Sequence, residues 1–539
     1  MKGKKPNILF LFSDQHSART LGCYGNKEVQ TPNLDRLSTK GVVLNNAYCN
    51  NPTCTASRIS FLSGQYPHNH GHWGLMGPNP EWLPSAFSHF KESGYLTGWA
   101  GKSHTPSGWL SPYCDQIGDG MGFEKRLSSS DALKMDGLQG VQNNDYSFYL
   151  AQKGLLDLRD DKVLQEQFQK FGHSRGQGVD ARPSRLPEEE SIEAWSAREA
   201  IKMIDRSQDE DKPFFFWLTM HRPHQGYTPA EKFWNLYNDN ELKLPPNCDD
   251  PLEGRHPLVL KSAEYYRNND DWRLFEPKTW EAARRRVLRG YYGCVSQVDA
   301  AFGTVIDYLE KCGLTENTII VYSSDHGEFA GEHGMIEKAP GIGFRCITRI
   351  PFIISYPGVI PEDNRREDIV ESVDFLPTVC SLAEVSMPDW CDGEDVSKLL
   401  INGEKIKEFA VTEHPLSKTI HDSRYKLTRY LPEMCEGKDF GELYDMIADP
   451  WEMNNLYANE KYSSIVNKLE KELYSWLVRT TRSITINPIP YVYKGKNNNS
   501  WDLAEQLYDK DSKIGKTYLR HVIESDPGYV TAVNPKNYL

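Results

Sequence analysis

The stretch NNPTCTASRISFLSGQYPHNHG (50–71) predicts a short helix that Cys54 opens, with Arg58 one turn further along the same face. A helix N-terminus presents free backbone N–H groups and the positive end of its dipole, so it favours a bound anion. Arg58 adds a planar fork of donors suited to paired oxygens. Most cysteines are small buried hydrophobes; this one stands where a nucleophile would meet an anion. Other chemistry-bearing residues follow apolar runs. Asp14 and Gln15 follow NILFLF, His221, Arg222 and His224 follow PFFFWLTM, and Asp325 and His326 follow NTIIVYSS. GYLTGWAGKSH sets Lys102 and His104 two apart, on one face of an extended chain. Taken singly, Asp14 and Asp325 read equally well as helix caps. Together, four chain ends deliver two carboxylates, an amide, imidazoles and an ammonium.

The elements that must position them are short apolar runs alternating with amphipathic stretches. NILFLF (7–12), PFFFWLTM (213–220), NTIIVYSS (317–324) and IPFIISYP (350–357) read as strands buried on both faces. PNLDRLSTKG (32–41), 191–207 and 286–313 carry helical periodicity. The alternation predicts an α/β fold: a large mixed, mostly parallel sheet flanked by helices. Ligands of such sheets bind at the carboxyl ends of the strands, where the residues above fall. Segments 105–190 and 225–285, rich in Gly, Pro, Asp and Asn, are expected to wall the pocket. The pattern changes around 385–415. SRYKLTRYL (423–431) and GELYDMIADPWEMNNLY (441–457) predict antiparallel strands, and 465–482 an amphipathic helix. Residues 1–415 are therefore read as the catalytic domain. Residues 416–539 form a smaller α+β domain with a short antiparallel sheet, its tail after 485 wrapping back.

The chain has 539 residues and a formal net charge of −13, which argues against a nucleic-acid surface. An anionic substrate would therefore need positive charge concentrated locally. The apolar run at 8–12 is too short for a signal peptide or a membrane span, and the eleven cysteines show no CxxC pairing. A cytoplasmic location is the expectation, with no membrane partner.

CTASR with the following ISFLSGQYPHNHG resembles the signature of type I, formylglycine-dependent sulfatases, members of the alkaline-phosphatase-like superfamily. PNILFLFSDQ, TPNLDRLSTKGV, GKSH, RPHQGYTP, SSDHGEFAGEHG, RIPFIISYPG and ELYDMIADPWEMNNL resemble that family in the same order, over about residues 6 to 457. The resemblance implies that Cys54 is oxidised to formylglycine, whose hydrate is a gem-diol that attacks sulfur. It implies a divalent metal held by Asp14, Gln15, Asp325, His326 and residue 54. Calcium is the first expectation, with magnesium or manganese as alternatives. Gln15 and His326 stand where many members have Asp and Asn. Lys102, Arg58 and Lys338 would stabilise developing charge. His224, with Lys338, would protonate the leaving alcohol, and His104 would deprotonate the second diol oxygen. Ala56, where many members have Pro, suits maturation by the anaerobic radical-type maturase.

The implied substrate is a small sulfate ester, in first place a sulfated mono- or disaccharide. The alternatives are a formylglycine-dependent phosphonate monoester hydrolase or phosphodiesterase of the same superfamily, and an inactive binding protein. A zinc site at His68, His70 and His72 has poor spacing, and His333 reads as structural. The aromatic stretch 265–275 reads as a packed loop.

Overall fold

The computed structural model describes residues 4–74, 83–106, 108–120, 144–156, 158, 181–268, 279–339, 341–431 and 439–482. The tail after 485, much of the 105–190 insertion and the end of the 265–275 stretch lie outside those residues. Among the described residues no helix is long and apolar enough to cross a membrane, and the cysteines are free thiols.

A nine-stranded sheet is built from β1 (Asn7–Asp14), β2 (Val42–Tyr48), β3 (Leu96–Gly101), β4 (Gln116–Asp119), β5 (Phe214–Pro223), β6 (Thr318–Ser324), β7 (Arg349–Ile350), β8 (Phe352–Ser355) and β9 (Asn364–Glu371). The order is β4-β3-β5-β1-β6-β8-β2-β7, with β9 also paired to β2. From β4 to β6 every pairing is parallel, whereas β8 runs antiparallel to both β6 and β2. The predicted mixed, mostly parallel sheet is therefore present.

Central strand β1 shows why its sequence is an unbroken apolar run. Ile8, Phe10 and Phe12 enter one core with Phe61, Trp217 and Phe375, and the Phe10 and Phe375 rings stack at 4.0 Å. Leu9 and Leu11 enter the opposite core with Met203, Ile204, Val298 and Phe302, from helices Ile192–Glu210 and Trp280–Lys311. A strand covered on both faces has no polar side to show. Each such side chain contributes roughly 1.5–3 kcal/mol by leaving water.

The second sheet is an antiparallel meander: β10 (Ala410–His414), β11 (Ser417–His421), β12 (Tyr425–Tyr430) and β13 (Gly441–Asp445). Its strand β10 begins ahead of position 416. Val411, Ile420, Leu427 and Leu443 pack against Val466, Leu469 and Trp476 of helix Ser463–Thr480. Strand β10 is tied to the turn that precedes Cys54. Glu413 N–H donates to Asn50 O at 2.7 Å, and Thr412 Oγ1 donates to Cys49 O at 2.6 Å. Glu452 of the PWEMNNL stretch is fully buried, pairs with Lys426 of β12, and accepts the Arg345 N–H at 2.8 Å. The small sheet thus braces two segments that border the carboxyl edge of the large one.

Candidate active site

Register alone assembles the site. Ser13 of β1 pairs with Ser324 of β6 and with Met220 of β5, so Asp14 and Asp325 leave the sheet side by side. A shift after Ser13 sets Asp14 level with Pro223, and His224 follows. On the next strand Gly101 pairs with Thr219, with φ at 104° and a Cβ position 1.9 Å from Thr219 O. Only glycine tolerates that approach, and Lys102 is delivered immediately after it.

Helix Cys54–Ser63 lies against this edge with all ten residues buried. Ser57 Oγ donates to Asp325 O at 2.6 Å. Arg58, with no exposed surface, donates from Nε to Asp325 Oδ2 at 2.9 Å and from Nη2 to Asp14 Oδ2 at 2.8 Å. Its Nη1 donates to Thr219 Oγ1 at 2.9 Å and to Lys102 O, and its guanidinium lies 5.2 Å from the Phe12 ring centroid. Arg58 therefore acts on the site through the two carboxylates it grips. Lys102 Nζ adds a third cationic contact, 2.7 Å from Asp14 Oδ2. Burial alone would raise the Asp14 carboxyl. Lys102, His224, Arg58 and His326 outweigh it and hold Asp14 well below the usual carboxylate range.

The inner oxygens and the His326 ring face one point. Ligand atoms of Asp14, Cys54, Asp325 and His326, all buried, lie within 4.8 Å of one another. His326 Nδ1 is 2.9 Å from Gly327 O, so its proton belongs there and Nε2 keeps a lone pair, 3.1 Å from Cys54 Sγ. Burial pushes the His326 imidazole down to about 4, so it is neutral as a ligand must be. Gln15 borders them: its backbone N–H donates to Asp325 Oδ1 at 2.9 Å, and its side-chain Oε1 accepts from Lys338 Nζ at 2.8 Å. Carboxylate oxygens with one neutral imidazole fit a hard divalent cation, with Arg58 and Lys102 balancing the outer oxygens.

The family model described as Sulfatase matches residues 6–385. The chain belongs to the sulfatase family. A second model, N-sulphoglucosamine sulphohydrolase, C-terminal, matches residues 331–479. The sulfatase is 28% identical over 480 residues to an arylsulfatase of Clostridium perfringens, covering 87% of this chain and 94% of that one. It is 25% identical over 550 residues to an N-acetylglucosamine-6-O-sulfatase of Bacteroides thetaiotaomicron, covering 90% and 88%. A solved structure in complex with its substrate D-glucosamine-2-N,6-O-disulfate superposes with TM-score 0.67 at 23% identity, over 88% of this chain and 98% of the other. A phosphonate monoester hydrolase of Agrobacterium radiobacter gives TM-score 0.70 at 19% identity, over 88% and 96%. The fold is thus common to sulfuryl and phosphoryl chemistry. Family membership rests on the sequence match, and it makes the chain a sulfuric ester hydrolase of a family that uses a metal and formylglycine.

The sulfatase's remaining predicted residues surround the same point. Lys338 Nζ lies 3.4 Å from His224 Nε2, and His224 Nε2 lies 4.0 Å from Asp14 Oδ1. His224 Nδ1 is 3.1 Å from Gln225 O, so the proton sits on Nδ1 and Nε2 faces the ammonium. Burial first, then Lys102, holds His104, His221 and His224 well below the usual imidazole range. Burial, then the Asp14 carboxylate, pushes the Cys54 thiol up to about 12. As a plain cysteine it is a poor nucleophile at neutral pH.

The other histidines are engaged elsewhere. His68 Nδ1 meets Glu413 Oε1 at 2.6 Å, and His70 Nε2 meets Ser60 Oγ at 3.0 Å while its Nδ1 accepts the His72 N–H. No metal cluster forms there among the described residues. His333 Nδ1 meets Asp250 Oδ2 at 2.7 Å, a structural contact. Four supporting residues escaped sequence reasoning. Thr219 joins Arg58 to Lys102 O, Glu328 accepts from the Gln15 amide while Tyr227 donates to Glu328, and the Tyr291 hydroxyl donates to Gln15 O at 2.9 Å. Only Glu328, two residues beyond His326 in SSDHGE, carried a local signal.

Proposed function

We propose that this sulfatase hydrolyses an O-sulfate ester on a small carbohydrate, with Cys54 matured to formylglycine and calcium in the Asp14, Gln15, Asp325 and His326 oxygen-rich cage. The observation that carries the reading is the buried convergence of Asp14, Asp325 and His326 on Cys54 at a helix N-terminus. A sugar sulfate is supported by the N-acetylglucosamine-6-O-sulfatase relative and by the disulfated glucosamine in the structural neighbour. Calcium is supported by a donor set with three oxygen ligands to one imidazole. Ala56 supports maturation by a radical-type, anaerobic maturase.

A bound divalent cation would act as a Lewis acid toward the sulfate oxygens. Formylglycine would supply a hydroxyl nucleophile with a second hydroxyl beside it. The chain's own groups do the rest. Lys102 and Lys338 are aimed at charge that grows on the sulfuryl oxygens and leaving oxygen. Lys338 Nζ, an ammonium oriented by the neutral His224 Nε2, gives a proton to the departing alcohol oxygen and is left as an amine. His104, kept neutral beside Lys102, accepts a proton from the hydroxyl at position 54.

The test pairs mass with turnover. Co-expression with an anaerobic maturase should lighten the Cys54 peptide by about 18 Da, the change of a thiol into an activated aldehyde. The matured protein should cleave glucosamine sulfates well above phosphonate monoesters. Equal or faster phosphonate cleavage would replace this reading with the phosphoryl alternative. The pH profile supplies a second check. A base must be neutral to act, and His104 is held well below its usual value. The acid limb of kcat, which contains the release step that His104 serves, should therefore fall clearly below about pH 6.5, the ordinary histidine value.

A further inference from the structure

Gln15, at φ 62° just past β1, has its amide held from both ends. The amide nitrogen donates to Glu328 Oε2, and Oε1 accepts from Lys338 Nζ at 2.8 Å. A carboxylate can only accept from that NH2 group, and an ammonium can only donate to that oxygen. The two partners therefore decide which way the amide lies. Glu328, 1% exposed, has further donors around it. The Tyr227 hydroxyl reaches its Oε2 at 3.2 Å, while Oε1 accepts the N–H groups of Ala330, at 3.1 Å, and of Glu337. Glu337 is the chain neighbour of Lys338, and Phe329 N–H closes the same loop on Glu337 O at 3.0 Å. One buried carboxylate thus touches both the Gln15 amide and the backbone that carries Lys338.

We propose that Glu328 is a positioning residue that turns Gln15 Oε1 toward the cation site and sets Lys338 in place, and that Gln15 and Glu328 are a matched pair. An acceptor at 328 requires a donor at 15. A carboxylate at 15 would lie against the Glu328 carboxylate, like charge on like charge in a buried setting. Glutamine at 15 is therefore tolerated, and required, because of what stands at 328. The inference rests on the reading of Gln15 as a ligand through Oε1.

The test is calcium titration by calorimetry on the matured protein stripped with EDTA. Glu328→Gln should weaken calcium binding by about tenfold or more, the usual consequence of losing an outer partner of a ligand. Gln15→Glu should also weaken it, despite the added charge. The double variant, Q15E with E328Q, restores a donor–acceptor pair of opposite sense. It should recover to within about threefold of the parent, a non-additivity that general loosening of the fold would not produce. If Glu328→Gln fails to fold, Glu328→Asp, one methylene too short to serve both arms, should show the same loss. Unchanged calcium affinity in Glu328→Gln, or a double variant no better than Gln15→Glu, overturns the proposal. Gln15→Ala separates the two ideas. Lost calcium binding keeps Gln15 as a ligand whatever Glu328 does, and unchanged binding removes the ligand reading and the matched pair with it.

Discussion

Cys54→Ala should fold normally, retain sugar-sulfate binding, and lose at least about 10⁴-fold in kcat, the scale seen when a nucleophile is removed. The fold has no need of the sulfur. Its contacts are a 3.1 Å approach to His326 Nε2 and a 3.7 Å approach to Asp14 Oδ1, and alanine suits the first turn of a helix. The Lys102, Lys338 and helix N-terminal groups that attract the anion remain. Unmatured wild-type protein should be comparably inert, because a thiol held at about 12 offers almost no thiolate at neutral pH. Cys54→Ser divides the reaction. Its single hydroxyl can attack but has no neighbour from which His104 could take a proton, so at most one equivalent of alcohol should be released per enzyme. Product counted by quench-flow over several equivalents checks this, and repeated turnover by either variant would remove residue 54 from the chemistry.

The elements legible in the sequence were those buried on both faces. β1, β5 and β6 read as unbroken apolar runs because helices cover them above and below. β9, NRREDIVE, gave no such signal: its first half alternates half-buried and exposed residues, and it pairs only with β2. β2 itself, VVLNNAY, interrupts its apolar pattern with two asparagines, whose side chains reach Glu367 of β9. Such strands are stabilised by partners far away in the chain, and periodicity does not record them.

The site divides the same way. Asp14, Lys102, His224 and Asp325 were legible because each ends or directly follows a strand, and parallel strands end on one edge. Arg58 was legible as a neighbour of Cys54 on one helix face. What its donors touch was not, since both carboxylates arrive from other strands. Thr219 and Tyr291 were invisible for a related reason. A hydroxyl in the middle of a strand or a 32-residue helix carries no local mark of the backbone group it will meet.

Arg58→Met should destabilise the protein by about 3–5 kcal/mol at neutral pH, the cost of leaving buried partners of opposite charge uncompensated. Methionine keeps most of the volume between Phe12 and Trp217, so loss of packing is a minor part. The pH dependence separates charge from packing. Asp14 is held well below its usual range in the fold, so its ionised form adds stability at every pH above the unfolded carboxylate value of about 4. That stability is lost progressively as pH falls from about 4, the unfolded carboxylate value, down through the lower folded value. Removing Arg58 takes away part of this term, so the penalty should be largest at neutral pH and should shrink when unfolding is measured at about pH 3. A pure packing defect would give the same penalty at both. Calcium should act in the same sense. Two carboxylates short of one cation gain more from another, so added calcium should raise the unfolding temperature of Arg58→Met more than that of the parent. If the two shifts are equal, Arg58 and the cation site are independent, and the two carboxylates have been wrongly joined to both.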